Sequence, residues 1–129
     1  MEKNTKNINS EQAMKHLTKP GNIGRMNDPD GAAFVKGQCG DTMEMYLIIE
    51  QEKIKEILFT TDGCGITTAC GSVTTELVKG KSIKEALGIS PANVIDVLGD
   101  YLGSDPHCAI LAVITLHKAL ADYLLRNKE

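Results

Sequence analysis

Thr42-Met43-Glu44-Met45-Tyr46-Leu47-Ile48-Ile49-Glu50 is the stretch that decides how this chain folds. Met43, Met45, Leu47 and Ile49 occupy alternate positions, which gives an extended segment one apolar face; alternation sustained this long marks a strand lying against a core. Gln51 and Glu52 make a tight polar connection, and Lys53 to Thr61 returns as the next strand, with Ile57 and Phe59 among more polar neighbours. Strands this close in sequence pair antiparallel.

Working back from this hairpin, Ala32 to Lys36 is a short strand candidate, and Pro20 to Gly31 is a loop carrying the turn signals Pro20-Gly21, Asn27-Asp28-Pro29 and Asp30-Gly31. Ser10 caps a short helix to about Leu17, ended by Lys19-Pro20-Gly21, and residues 1–9 are expected to be disordered. Working forward, Asp62-Gly63-Cys64-Gly65 breaks the sheet and the apolar period lengthens to about 3.6 residues. Ile66 to Lys79 is a helix closed by Gly80, and Ser82 with Glu85 is a capping box for a helix through Leu87. Ser90-Pro91 opens another that ends near Leu98-Gly99. Ala109 to about Arg126 is a long amphipathic helix, with Ile110, Val113, Ile114, His117, Leu120, Ala121 and Leu124 along one side. Strands first and helices afterwards predict an α+β domain, with residues 10–129 forming one unit.

Composition bounds the function. A chain of 129 residues buries a sizeable core without disulfides. Its net charge is −3 and its 14 basic residues are dispersed, so there is no basic stripe for nucleic acid. Tryptophan is absent and aromatics are 4%, which disfavours stacking on bases or sugars. The polar start, Met1 to Gln12, lacks the apolar core of a signal peptide, and no run approaches the length of a membrane span; a cytoplasmic protein with no membrane partner is expected. In a reducing compartment its four cysteines read as ligands, nucleophiles or small core residues.

Cys39, Asp41, Cys64, His107 and Cys108 are all expected at breaks between regular elements, where binding residues concentrate. One cysteine alone is more often packing than ligand. Three at element ends, each beside Gly or His, point instead to a metal site. Thiolates suit zinc, copper(I) and iron-sulfur clusters, whereas a carboxylate is a poorer match, so a site completed by Asp41 or His107 would hold its metal less firmly than four cysteines. Cys70 stands about 240° around a regular helix from Cys64, so both cannot face one ion, and it is read as a core residue or a spare thiol. His16 and His117 read as ordinary helix residues, and alternation already accounts for Met43 and Met45.

Taken together, the Asn27 to Gly31 loop, Gly37-Gln38-Cys39-Gly40-Asp41, Asp62-Gly63-Cys64-Gly65 and His107-Cys108-Ala109-Ile110-Leu111-Ala112 resemble the NifU/IscU-type scaffold proteins of iron-sulfur cluster assembly. The pieces keep the family's order over about residues 15 to 125. The resemblance implies a three-stranded antiparallel sheet with helices packed on it. It also implies a scaffold, not an enzyme, that receives persulfide sulfur from a cysteine desulfurase and iron from a donor, builds a [2Fe-2S] cluster and passes it to recipient apo-proteins. On that likeness Cys39, Cys64 and Cys108 are thiolate ligands, Asp41 is the labile oxygen ligand and His107 an alternative ligand or gate. Cys108 is the preferred persulfide acceptor, and a homodimer bridged by the cluster stays open.

The likeness has departures. Where IscU-type proteins carry Leu-Pro-Pro-Val-Lys, this chain has Tyr101-Leu102-Gly103-Ser104-Asp105-Pro106, and Cys70 stands where the family commonly has a small residue without a thiol. The alternative is a zinc-bound sulfur relay of SufU type, in which the same residues hold zinc and a ligand cysteine accepts persulfide; the insertion typical of those relatives is missing between Cys64 and Cys108.

Overall fold

The structure, a computed structural model, describes residues 11–102 and 106–126; residues 1–9 and the Ser10 cap lie outside the described residues. Helix α1 covers 11–18. Strands β1 (Gly31–Lys36), β2 (Thr42–Glu50) and β3 (Lys53–Thr61) follow, then α2 (Gly65–Val78), α3 (Ile83–Leu87), α4 (Pro91–Leu98), a 3-10 turn (Gly99–Leu102) and α5 (His107–Arg126). The sheet has three strands in the order β1-β2-β3, both pairs antiparallel, so the α+β expectation holds.

β2 and β3 begin and end where alternation placed them. Met43, Met45, Leu47, Ile57 and Phe59 are fully buried against the helices, and Met45 sits opposite Ala33 on one side and Phe59 on the other. The hairpin turn sets both central residues in left-handed backbone, Gln51 at φ 54° and Glu52 at φ 66°, the handedness that matches the twist of the flanking strands. The loop before β1 does more than connect. The Phe59 N–H donates to the Asn22 carbonyl at 2.9 Å and the Gly24 N–H to the Phe59 carbonyl at 2.8 Å, so this segment covers the outer edge of β3.

α2 is the central helix, and its small residues are the reason it can be. A Cβ on Gly71 would lie 2.4 Å from the Phe59 ring, so glycine lets the ring of β3 sit directly on the helix. Thr74 and Thr75 are fully buried, their hydroxyls donating to the Cys70 and Gly71 carbonyls at 2.8 and 3.0 Å. The Ser82–Glu85 capping box is present, and Gly80 takes φ 84° just beyond the C-cap of α2.

α5 packs on β1, β2, α2 and α4. A Cβ on Gly31 would come within 2.6 Å of the Ala119 carbonyl, so glycine sets the closeness of β1 to this helix. Two expectations about α5 need correction. Its inward face is Ala109, Ala112, Val113, Leu116, Ala119 and Leu120. Of the predicted stripe only Val113 and Leu120 are buried, while Ile110, Ile114 and Leu124 are 36, 40 and 43% exposed. The helix is apolar around more than half its circumference, so the same spacing fits two adjacent faces; alanines win the inner one because they allow close approach to the sheet. By length and composition α5 could cross a membrane, but packing against the sheet and α2 accounts for its apolar character. The second correction is its start. The Pro106 carbonyl accepts from the Ile110 N–H at 3.0 Å, so His107 and Cys108 form the first helical turn and do not lie in a break. First-turn residues need no N–H partner inside the helix, which removes the objection to starting directly after proline.

Candidate metal centre

Three connections meet at one end of the sheet. The β1–β2 turn closes on itself, Gly37 N–H donating to the Asp41 carbonyl at 2.7 Å and Gly40 N–H to the Gly37 carbonyl at 3.1 Å, with Gly40 at φ 92°. Cys39 is thereby held out as an exposed thiol at the tip. The β3–α2 connection is stitched alongside: the Thr61 hydroxyl donates to the Thr42 carbonyl, and the Thr42 N–H donates to Asp62 Oδ1 at 2.7 Å. The Thr42 N–H, and after it the Thr42 side chain, hold the Asp62 carboxyl below the usual carboxylate range. Cys64 is the N-cap of α2, and Cys108 lies in the first turn of α5.

What draws these pieces together is a residue the sequence reading passed over. Thr67 is fully buried, and its hydroxyl donates to Asp41 Oδ2 at 2.9 Å; it also contacts Cys108 Sγ at 3.2 Å and Cys64 Sγ at 3.8 Å. Asp41, Cys64 and Cys108, far apart in sequence, thus share one oxygen. Gly63 makes room for it, because a Cβ there would stand 2.6 Å from the Thr67 Cβ and 2.7 Å from Asp41 Oδ2. The available signal was spacing: a residue three after Cys64 in a helix comes round to the same face.

The thiols differ. Cys64 makes no capping hydrogen bond of ordinary geometry, but the Thr67 N–H faces its sulfur. That N–H, then the Thr67 hydroxyl, and to a smaller degree the Ile66 N–H, pull the exposed Cys64 thiol below its ordinary value, with burial and the Asp41 charge opposing. Burial pushes the half-buried Cys108 thiol up, and the neighbouring Cys64, Cys39 and Asp41 charges add to this, against the Thr67 hydroxyl. Cys70 is fully buried and burial drives its thiol far up, so of its two readings, core residue and spare thiol, the structure bears out the core; it lies behind the site, within electrostatic reach of Cys108 and Cys64.

Cys39 comes into the field of Cys108 without joining the hydrogen-bonded group around Thr67. His107 is exposed and, with Val35, Gln38, Ile110 and Ile114, lines a groove of about 260 Å³ beside the turn. Among the described residues, no three His, Cys, Asp or Glu side chains already stand close enough to hold a metal ion. The donors are gathered around a hydroxyl without being closed on a common point.

Comparison with known proteins fits this arrangement. The profile of the NifU-like N terminal domain matches residues 8–129. Iron-sulfur cluster assembly scaffold protein IscU 1 of Archaeoglobus fulgidus is 37% identical over 119 residues, spanning 92% of this chain and 78% of the relative. The IscU scaffold protein of Escherichia coli is 35% identical over 119 residues, spanning 88% and 92%. The crystal structure of the N-terminal part of a nitrogen-fixing NifU-like protein from Brucella abortus superposes with a TM-score of 0.73 at 16% identity, covering 90% of this chain and 94% of that one, which is a likeness of fold. With a family profile running from residue 8 to the last residue and relatives above one-third identity, the chain belongs to the NifU-like N-terminal domain family.

Proposed function

We propose that this chain is a scaffold on which an iron-sulfur cluster is assembled and from which it is passed to recipient apo-proteins. A cysteine desulfurase would supply sulfur as a persulfide, a second partner iron, and the cargo would be a [2Fe-2S] cluster. The observation that carries this reading is the gathering of Asp41, Cys64 and Cys108 around one buried hydroxyl, with Cys39 on the adjoining turn. Three thiolates and one carboxylate make a sulfur-rich site with one poorly matched ligand, which suits a protein that must assemble a cluster and then surrender it.

Cys39, Cys64 and Cys108 are the proposed thiolate ligands, Asp41 the labile ligand, and His107 in the first turn of α5 an alternative to it. Sulfur acceptance needs a thiolate that attacks the terminal sulfur of the donor's persulfide while the donor cysteine leaves as its own thiolate. Cys108 remains the proposed acceptor. Its raised thiol means that attack requires relief of its burial when the donor docks.

Anaerobic reconstitution with iron, a cysteine desulfurase and cysteine, followed by visible absorption and transfer to an apo-ferredoxin, tests the reading. A coloured protein that gives up its cluster is expected. Asp41→Ala should slow transfer and lengthen cluster lifetime; faster loss of visible absorbance in that variant would remove Asp41 from its role. A colourless protein that retains stoichiometric zinc throughout would favour the zinc-bound sulfur relay instead.

A further inference from the structure

We propose that Thr67 is the positioning residue that makes Asp41 a usable ligand, and that it governs cargo release through that carboxylate. The inference rests on the scaffold reading above. Three observations about this chain carry it. The Thr67 hydroxyl donates to Asp41 Oδ2 at 2.9 Å and, among the described residues, this is the hydrogen bond that holds the carboxylate. Thr67 is fully buried on a regular helix, and a β-branched side chain there has few χ1 choices, so the direction of its oxygen is fixed by packing. Gly63 leaves the space in which the pair meets, since any side chain at that position would run into both the Thr67 Cβ and Asp41 Oδ2.

The consequence is geometric. Asp41 is the final residue of a glycine-bearing turn and has no regular element of its own to orient it. With Oδ2 held by Thr67, Oδ1 is the oxygen left to offer an ion. The same hydroxyl touches Cys108 Sγ and lies near Cys64 Sγ, so it sets the carboxylate at the mouth of the two helical thiols. Ligating carboxylates are commonly oriented by such outer hydrogen bonds, and losing one costs roughly tenfold or more in affinity or activity. Without the hydroxyl, Asp41 swings free on its turn and the site behaves as though the carboxylate were missing.

The test uses the full chain and Co²⁺ alone as the spectroscopic probe, alongside cluster transfer to an apo-ferredoxin. Wild type should show thiolate-to-cobalt charge-transfer bands and a tetrahedral d–d envelope, and Asp41→Ala should shift that envelope. Thr67→Val should reproduce the Asp41→Ala spectrum and slow cluster transfer roughly tenfold. Thr67→Ser, which restores the hydroxyl, should return both toward wild type, and Thr67→Val should add nothing in the Asp41→Ala background. Thermal melts establish that each variant folds, and Thr67→Ala replaces Thr67→Val if valine does not. A Thr67→Val spectrum identical to wild type, while Asp41→Ala differs, overturns the positioning role and leaves the scaffold reading intact. Additive losses in the double variant also overturn it, because Thr67 would then act through Cys108. Absence of thiolate-to-cobalt bands in wild type overturns both proposals.

Discussion

The two ends of α2 bury polar side chains in opposite ways. In its C-terminal half the polar groups answer one another. His16, 3% exposed on α1, meets Ser72 Oγ through Nδ1 at 2.7 Å and Glu76 Oε1 through Nε2 at 3.0 Å. Ser72 Oγ also accepts from the Gly21 N–H at 2.9 Å, and Asn22 Nδ2 donates to Thr75 Oγ1 at 3.0 Å. At the N-terminal end one hydroxyl serves a carboxylate and two thiols, with a third thiol exposed nearby. Protein interiors ordinarily pair their polar groups internally, as the C-terminal half does. The N-terminal half instead gathers a carboxylate and two thiols on a single hydroxyl and leaves Cys39 and Cys64 exposed, which is the arrangement the proposed site requires.

A pair of glycines offers the sharpest way to break the comparison. Gly71→Ala would drive a methyl to 2.4 Å from the buried Phe59 ring, and overpacking of this kind should destabilise the fold by about 3 kcal/mol in urea titration. Gly63→Ala would press on the buried Thr67 Cβ at 2.6 Å as well as on Asp41 Oδ2 at 2.7 Å, so it should also cost about 1–3 kcal/mol, but here the Co²⁺ spectrum moves too, whereas folded Gly71→Ala keeps the wild-type spectrum. A Co²⁺ spectrum unmoved by Gly63→Ala, or moved as far by Gly71→Ala, would erase the distinction. Next in size, His16→Ala should cost about 2 kcal/mol by stranding Ser72 and the groups around it, with Co²⁺ binding unchanged. A loss of metal binding there would mean that the two ends are coupled.

The smallest effect sharpens the site end alone. Alkylation followed by peptide mass spectrometry should find Cys64 reacting at lower pH than Cys108, because hydrogen bonding lowers the first thiol and burial raises the second. Cys70, buried and pushed far up, should react only on unfolding. Cys108 reacting at lower pH than Cys64 would contradict the geometry around Thr67.

Much of this comparison was legible in the residues, unevenly. Alternation fixed β2 and β3 to the residue because a half-buried strand permits only one phase. Capping chemistry located α3 for a similar reason: Ser82 and Glu85 bond each other's backbone only at a helix start. The cysteines and Asp41 stood out by type and by their place at element ends. Thr67 did not, since a threonine in a helix carries no mark of what its hydroxyl meets, and Asp41 and Cys108 reach it only through the tertiary fold. The turn of α5 also escaped, because rotation between two apolar faces is decided by the close approach that Gly31 and Ala119 allow, not by hydrophobicity.

Cys64 caps a helix of 14 residues and Cys108 lies in the first turn of one of 20. Each helix start carries about half a positive charge from its aligned peptide dipoles. Three thiolates and a carboxylate would set four negative charges against those two partial ones, and only the carboxylate is already counted in the chain's net charge of −3. Such a site favours incoming cations and does not keep all its thiols ionised once they depart. Cargo loading should therefore expel protons and cargo departure take them up, coupling delivery to local acidity.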